Sequence, residues 1–189
     1  MTHAVRIVAV VAVLAALVLC VPVQAQTPEI DAARARAEAG VAEAQYNLGV
    51  RYATGDGVPQ DDVEAMRWFR LAAEQGDVRA QYNLGSRYAT GDGVPEDAVE
   101  AVRWFRLAAE QGDAGAQYNL GARYVDGDGV PENDVLAHMW FTLTAARAQG
   151  ATRKAAVNLR DILANDMSSE QIEAAQRLAR EWNETHPHN

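Results

Sequence analysis

The chain is poor in the side chains that carry covalent chemistry. In 189 residues it has one cysteine, Cys20, one lysine, Lys154, and three serines, Ser86, Ser168 and Ser169. A single cysteine excludes an intramolecular disulfide. No serine sits in a Gly-x-Ser-x-Gly elbow and no His-Glu-x-x-His occurs, so no catalytic residue and no metal site is read from the sequence. An excess of positive charge is missing as well: the net charge is −9 and the pI about 4.9. Affinity for nucleic acid rests on neutralising phosphates, so this balance argues against that partner. With 23% charged residues and a mean hydropathy of −0.23, the chain is neither a multispanning membrane protein nor disordered.

One long apolar run is present, and it lies at the start. Ile7 to Leu19 is unbroken, Arg6 precedes it, and Val21-Pro22-Val23-Gln24-Ala25 follows with a helix breaker and small residues at the cleavage positions. This pattern predicts a signal peptide over residues 1–25, cut after Ala25. The run is short for a membrane span and no basic stop follows it, so stable membrane insertion is not expected after cleavage. Leu19 before Cys20 argues against lipid attachment there. The expected product is a thiol-free chain in the periplasm or outside the cell.

The middle of the chain repeats itself. Tyr46, Tyr82 and Tyr118 are spaced by 36 residues, as are Gly49, Gly85 and Gly121, and Trp68, Trp104 and Trp140. Residues 41–76 and 77–112 are identical at 29 of 36 positions. The third unit, 113–150, has drifted further and carries two extra residues before Gly150. Each unit reads as two helices. In the first unit, Ala44, Leu48 and Tyr52 form one apolar stripe at helical spacing, and Ala65, Trp68, Phe69, Ala72 and Ala73 form another. Thr54-Gly55-Asp56-Gly57-Val58-Pro59 breaks the chain between them. Gly76 suits a left-handed C-terminal position, and Asp77 and Asp113 suit N-caps. Gly49 and Ala72 predict a close approach of two helix backbones, with Trp68 filling the space between hairpins.

A single hairpin cannot bury both faces, but stacked copies can, so the predicted fold is all-α, an α/α solenoid of three hairpins. Residues 26–40 read as an N-terminal cap helix with Thr27 as N-cap and Pro28 at the first helical position. Ala33, Ala37 and Gly40 imitate the end of a second helix. Residues 151–183 read as C-terminal capping helices, the last opened by the capping box Ser168-Ser169-Glu170-Gln171 and sharing Ile172, Ala175, Ala179 and Trp182 on one face. Residues 184–189 read as a tail.

The run Ala44-Gln45-Tyr46-Asn47-Leu48-Gly49, with Tyr52, Gly55-Asp56-Gly57-Val58-Pro59, Trp68 and Ala72-Ala73 to Gly76, resembles the Sel-one-like repeat, a relative of the tetratricopeptide repeat. The resemblance covers residues 41–150. It implies a right-handed superhelix that holds other proteins, and many bacterial members belong to the cell envelope. Some secreted members carry disulfides and are linked to β-lactam binding, features that a thiol-free chain does not share.

The Gly-Asp-Gly-Val-Pro loops lack the third glycine of a dinucleotide fingerprint and follow helices, so they read as structural turns and no cofactor is implied. Asp126-Gly127-Asp128-Gly129 lacks the later ligands of a calcium loop. His138 replaces Met66 and Val102 of the other copies and is expected to pack at a helix edge. The resemblance places the first helices on the groove. Tyr46-Asn47, Tyr82-Asn83 and Tyr118-Asn119 then face a partner, the asparagines able to bind an extended peptide backbone. Positions that vary between copies would supply specificity: Glu43, Arg79 and Gly115, then Val50, Ser86 and Ala122. The expected function is an exported, non-enzymatic scaffold for a protein or peptide partner. The alternatives are a peptidoglycan or saccharide binder, stacking sugars on the repeated Trp and Tyr, and a hydrolase acting on β-lactams.

Overall fold

The computed structural model describes residues 28–186. The segment read as a signal peptide, its cleavage site, Thr27 and residues 187–189 lie outside the described residues. Among the described residues there are nine helices and no strand. They are α1 (Pro28–Glu38), α2 (Ala42–Thr54), α3 (Asp62–Glu74), α4 (Val78–Thr90), α5 (Ala98–Glu110), α6 (Ala114–Asp126), α7 (Asp134–Arg147), α8 (Gly150–Ala164) and α9 (Ser169–Thr185). None is long and apolar enough to cross a membrane.

Local chemistry sets the helix starts. Asp77 and Asp113 accept hydrogen bonds from the amides of Ala80 and Ala116 at 3.1 and 2.7 Å. Asp61, Asp97 and Asn133 cap α3, α5 and α7 in the same way. Ser168 and Gln171 form the reciprocal capping box that opens α9. Each cap satisfies an amide that the helix itself leaves without a partner.

The hairpins α2–α3, α4–α5 and α6–α7 share one core design. Phe69, Phe105 and Phe141 are buried, and each ring lies against the glycine of the facing helix. A Cβ on Gly49 would come within 2.8 Å of the Phe69 ring. The expectation of backbone meeting backbone at Gly49 is therefore corrected. The missing side chain admits an aromatic ring, which buries more apolar area than a second small residue would. Trp104 joins Leu84 of its own repeat to Ala65 and Phe69 of the preceding one, so the tryptophan links hairpins. Trp68 likewise joins Ala44 and Leu48 of its own repeat to Ala37 of α1.

Successive units are joined by buried glutamines. Gln45, Gln81 and Gln117 donate to the carbonyls of Ala37, Ala73 and Ala109 at 3.1, 3.1 and 3.2 Å. Gln75 donates to Gln45 at 2.6 Å and Gln111 to Gln81 at 2.8 Å. These polar groups close the helix ends of one unit on the start of the next, where unpaired groups would be costly. The second glycine of each loop also joins units. Gly93 and Gly129 have φ of 78° and 75°, and a Cβ on either would collide with the carbonyl of Asp62 or Ala98 in the preceding unit. Arg87 reaches back to Asp62 at 2.9 Å.

α8 and α9 both pack on α7. Within the three hairpins the first helices α4 and α6 touch, and α6 goes on to touch α8, whereas the second helices α3, α5 and α7 approach one another less closely. First helices therefore form the inner, concave row, and α8 extends that row by one member.

Candidate functional site

Every residue singled out on the first helices lies along the inner row, though not all in the same way. Asn47 is exposed, and Asn83 and Asn119 are half-buried. None of the three amides makes a hydrogen bond among the described residues. The contrast with Gln45, Gln81 and Gln117, two positions earlier and each donating to a backbone carbonyl, follows from helix geometry. Two residues on a helix turn a side chain from the core to the opposite side. The asparagines do not cap local backbone.

The tyrosines straddle core and surface. Tyr46, Tyr82 and Tyr118 are half-buried, with their rings 5.8, 6.0 and 5.8 Å from those of Phe69, Phe105 and Phe141. Their hydroxyls make no hydrogen bond among the described residues. The tyrosine is thus the outer edge of the aromatic core, with its polar tip left without a partner among the described residues.

The variable positions differ in how free they are. Glu43 is exposed and without an ion pair among the described residues. Arg79 is already engaged: it bonds Asp77 at 2.7 Å and stacks over the Tyr46 ring at 4.2 Å. Burial pushes the Asp77 carboxyl up, but the bonds from Arg79 and the amide of Ala80, with the Arg79 charge, outweigh it and hold the group below the usual carboxylate range. Val50, Ser86 and Ala122 are half-buried, and Val50 packs at the margin of the core. Gly115 leaves room for Tyr82, whose ring would meet a Cβ there at 2.9 Å.

That gap opens a cavity of about 400 Å3 lined by Tyr82, Tyr118, Asn119, Ala151, Thr152 and Ala155, beside Gly115. It brings together four residues named from the sequence, Tyr82, Gly115, Tyr118 and Asn119. It also adds α8, which sequence reasoning treated only as a cap. The signal was present in Gln149-Gly150, which repeats Gln111-Gly112 after the two-residue insertion.

The remaining candidates fall elsewhere. Trp68, Trp104 and Trp140 are buried, so they offer no open stacking platform. His138 is packed and buried at 4% exposure, as are Met66 and Val102 at the same position of the other units. Burial, and then the charge of Arg160, lowers its affinity for a proton; Asp161 opposes them. Among the described residues no group of three or more His, Cys, Asp or Glu side chains is placed to hold a metal ion.

The family model of the Sel1 repeat matches residues 42–77, 78–113 and 114–148. A Sel1 repeat protein from Oxalobacter formigenes is 40% identical over 69% of this chain and 98% of its own, with a TM-score of 0.63. The protein c5321, a protective antigen present in uropathogenic Escherichia coli strains and displaying an SLR fold, is 36% identical over 83% of this chain, with a TM-score of 0.69. The match spans 32% of c5321. No curated protein matches the chain. Sel1-repeat solenoids commonly serve protein–protein interaction and are generally non-catalytic. With three units matched over more than half its length, and a helix order to suit, the chain belongs to the Sel1 repeat family.

Proposed function

We propose that this protein is an exported, non-enzymatic scaffold that holds an extended segment of a protein partner along its concave face. One observation carries the reading. Asn47, Asn83 and Asn119 occupy the same position on three successive inner helices, and all three amides lack a partner among the described residues. Each offers a donor and an acceptor, the pair a peptide unit needs. The half-exposed tyrosines beside them add apolar area, and the cavity at Tyr82, Tyr118 and Thr152 accepts one side chain. The N-terminal sequence supports export to the periplasm or beyond. The saccharide-binding alternative is weakened by the burial of its tryptophans.

The test is capture in the native host's envelope with a C-terminally tagged chain, crosslinked, beside Asn47→Ala, Asn83→Ala and Asn119→Ala combined. A protein enriched by the parent and lost by the triple variant, with helicity unchanged, is the expected result. Enrichment that survives the variant would move the site off the inner row.

A further inference from the structure

The outer row carries an apolar feature that the groove reading does not use. Between α3 and the loop after α4 lies a pocket of about 400 Å3, with Val63, Met66, Leu71 and Val94 as its apolar wall and Arg67 and Arg70 at its rim. Between α5 and the loop after α6 the same pocket recurs at about 320 Å3. Val99, Val102, Leu107 and Val130 form that wall, with Arg103 and Arg106 at the rim. Val63 and Val99 are 69% and 65% exposed, more than any other large apolar side chain among the described residues.

These pockets are not an obligatory by-product of the repeat. At the N-terminal end Val58, at the position of Val94, is 1% exposed where Val94 is half-buried, and Asp31 stands at the position of Arg67. In the third unit the valine at the position of Val99, Val135, is half-buried, and His138, Met139 and Thr142 replace the apolar floor and the two rim arginines. Only the two internal sites combine an exposed valine with two arginines.

The arginines differ in their engagement. Arg67 and Arg103 are paired with Glu64 and Glu100 and stacked over Trp68 and Trp104. Arg70 and Arg106 each donate to a phenol, Tyr88 at 2.5 Å and Tyr124 at 3.1 Å, and have no carboxylate at ion-pair distance among the described residues. The phenol fixes the guanidinium in place while leaving its charge uncompensated. A fixed, uncompensated guanidinium beside an apolar pocket suits a carboxylate next to an apolar side chain. Glu74 stands at the rim of the first pocket, whereas no carboxylate lines the second. The second pocket is therefore the better seat for the acid, and the first for the apolar anchor.

We propose that the convex face is a second docking surface, whose two tandem pockets take a linear acidic segment of a partner protein anchored by apolar side chains. In a chain of net charge −9, basic segments are attracted over most of the surface. An acidic segment finds local complementarity only where cations such as Arg70 and Arg106 stand unpaired, so the arrangement confers position as well as affinity.

The test selects a phage-displayed library of random dodecapeptides against the full chain, then measures the recovered peptides by fluorescence anisotropy. Recovered sequences should combine Leu, Ile or Phe with Asp or Glu. Val63→Asp with Val99→Asp should weaken them at least about tenfold, as expected for losing central anchors. Arg70→Gln with Arg106→Gln, which keeps a donor for each phenol, should weaken them several-fold and erase the preference for acid over amide in matched peptides. The triple asparagine variant should bind them as the parent does. An empty selection, recovery of basic peptides, or binding lost in the asparagine variant and retained in the valine variant would overturn the proposal. Melting curves of both outer-row variants confirm that they remain folded.

Discussion

At the N-terminal end, α1 reproduces the second helix of a repeat. Ile30, Arg34, Ala37 and Gly40 stand 36 residues before Met66, Arg70, Ala73 and Gly76. The bonds are reproduced too: Arg34 donates to Tyr52 at 2.9 Å as Arg70 does to Tyr88, and Ala37 accepts from Gln45 as Ala73 does from Gln81. At the C-terminal end the linking residues are rewritten. Arg147 stands where Gln75 and Gln111 stand in the earlier units, and bonds Asn183 and the carbonyl of His186. It lies over Trp182, which packs edge-on to Trp140 and stacks on His186. Ala98 replaces Asp62, so Arg123 turns to Asp128 of its own loop.

The two ends differ in how completely they satisfy buried polar groups. Five buried side-chain polar atoms lack a partner among the described residues, and three of them, on Gln117, His138 and Arg147, belong to the C-terminal joint. Each such group costs about 1–3 kcal/mol. A cap that copies the repeat inherits its bonds, whereas a cap that departs from it leaves former partners unmatched. The C-terminal joint is thus expected to be the weaker of the two and the first to open.

The largest effect tests what both ends depend on. Phe105→Ala, in the central unit, should cost about 3–5 kcal/mol in urea unfolding. A loss near that of a surface substitution would show that the glycine–phenylalanine contact is not the core of the repeat. Arg147→Gln acts on the C-terminal joint alone. Glutamine restores the residue of the other copies but gives up the bonds to Asn183 and His186. Hydrogen exchange in α9 should become easier by about 1–3 kcal/mol, with α2 to α5 unchanged. Uniform loss of protection would mean that the array opens as one unit.

His138→Met sharpens the comparison through pH. In the folded chain the buried imidazole resists protonation, while in the unfolded chain it accepts a proton below about pH 6.5. The stability from neutral His138 is complete above that value and is lost as pH falls toward the lowered folded value. The melting temperature of the parent should therefore drop between about pH 7.5 and pH 5 by more than that of the variant. Equal drops would remove His138 as the cause. The smallest effect is Ala98→Asp, which returns the inter-unit partner to Arg123. A gain of about 1 kcal/mol is expected for a half-exposed pair, visible as a small rise in melting temperature that salt reduces.

Features set by neighbours in sequence were legible before the fold was seen. The caps at Asp77, Asp113 and Ser168 depend on residues three positions away, and the hairpins on an apolar spacing repeated three times. The glutamine ladder was not, because a polar residue on an apolar face looks like an interruption until its carbonyl partner is known. The packing of His138 was legible, because it stands at the position of Met66 and Val102, which are buried to the same degree. α8 escaped notice as an inner helix because the third unit is two residues longer, which shifts the period at that point. For the candidate site, the register of Asn47, Asn83 and Asn119 was visible in the sequence. Their lack of partners required the neighbouring side chains to be in place.

Gly40, Gly76 and Gly112 have φ of 87°, 91° and 88°, the same joint made three times. A unit cut from one joint to the next begins and ends on identical geometry. Duplicating or deleting it at the level of the gene therefore leaves both seams matched, and units 41–76 and 77–112 still differ at only seven of 36 positions. Length in this molecule is an adjustable quantity. Reach toward a larger partner can be gained in steps of one unit, without inventing a contact that the existing copies do not already contain.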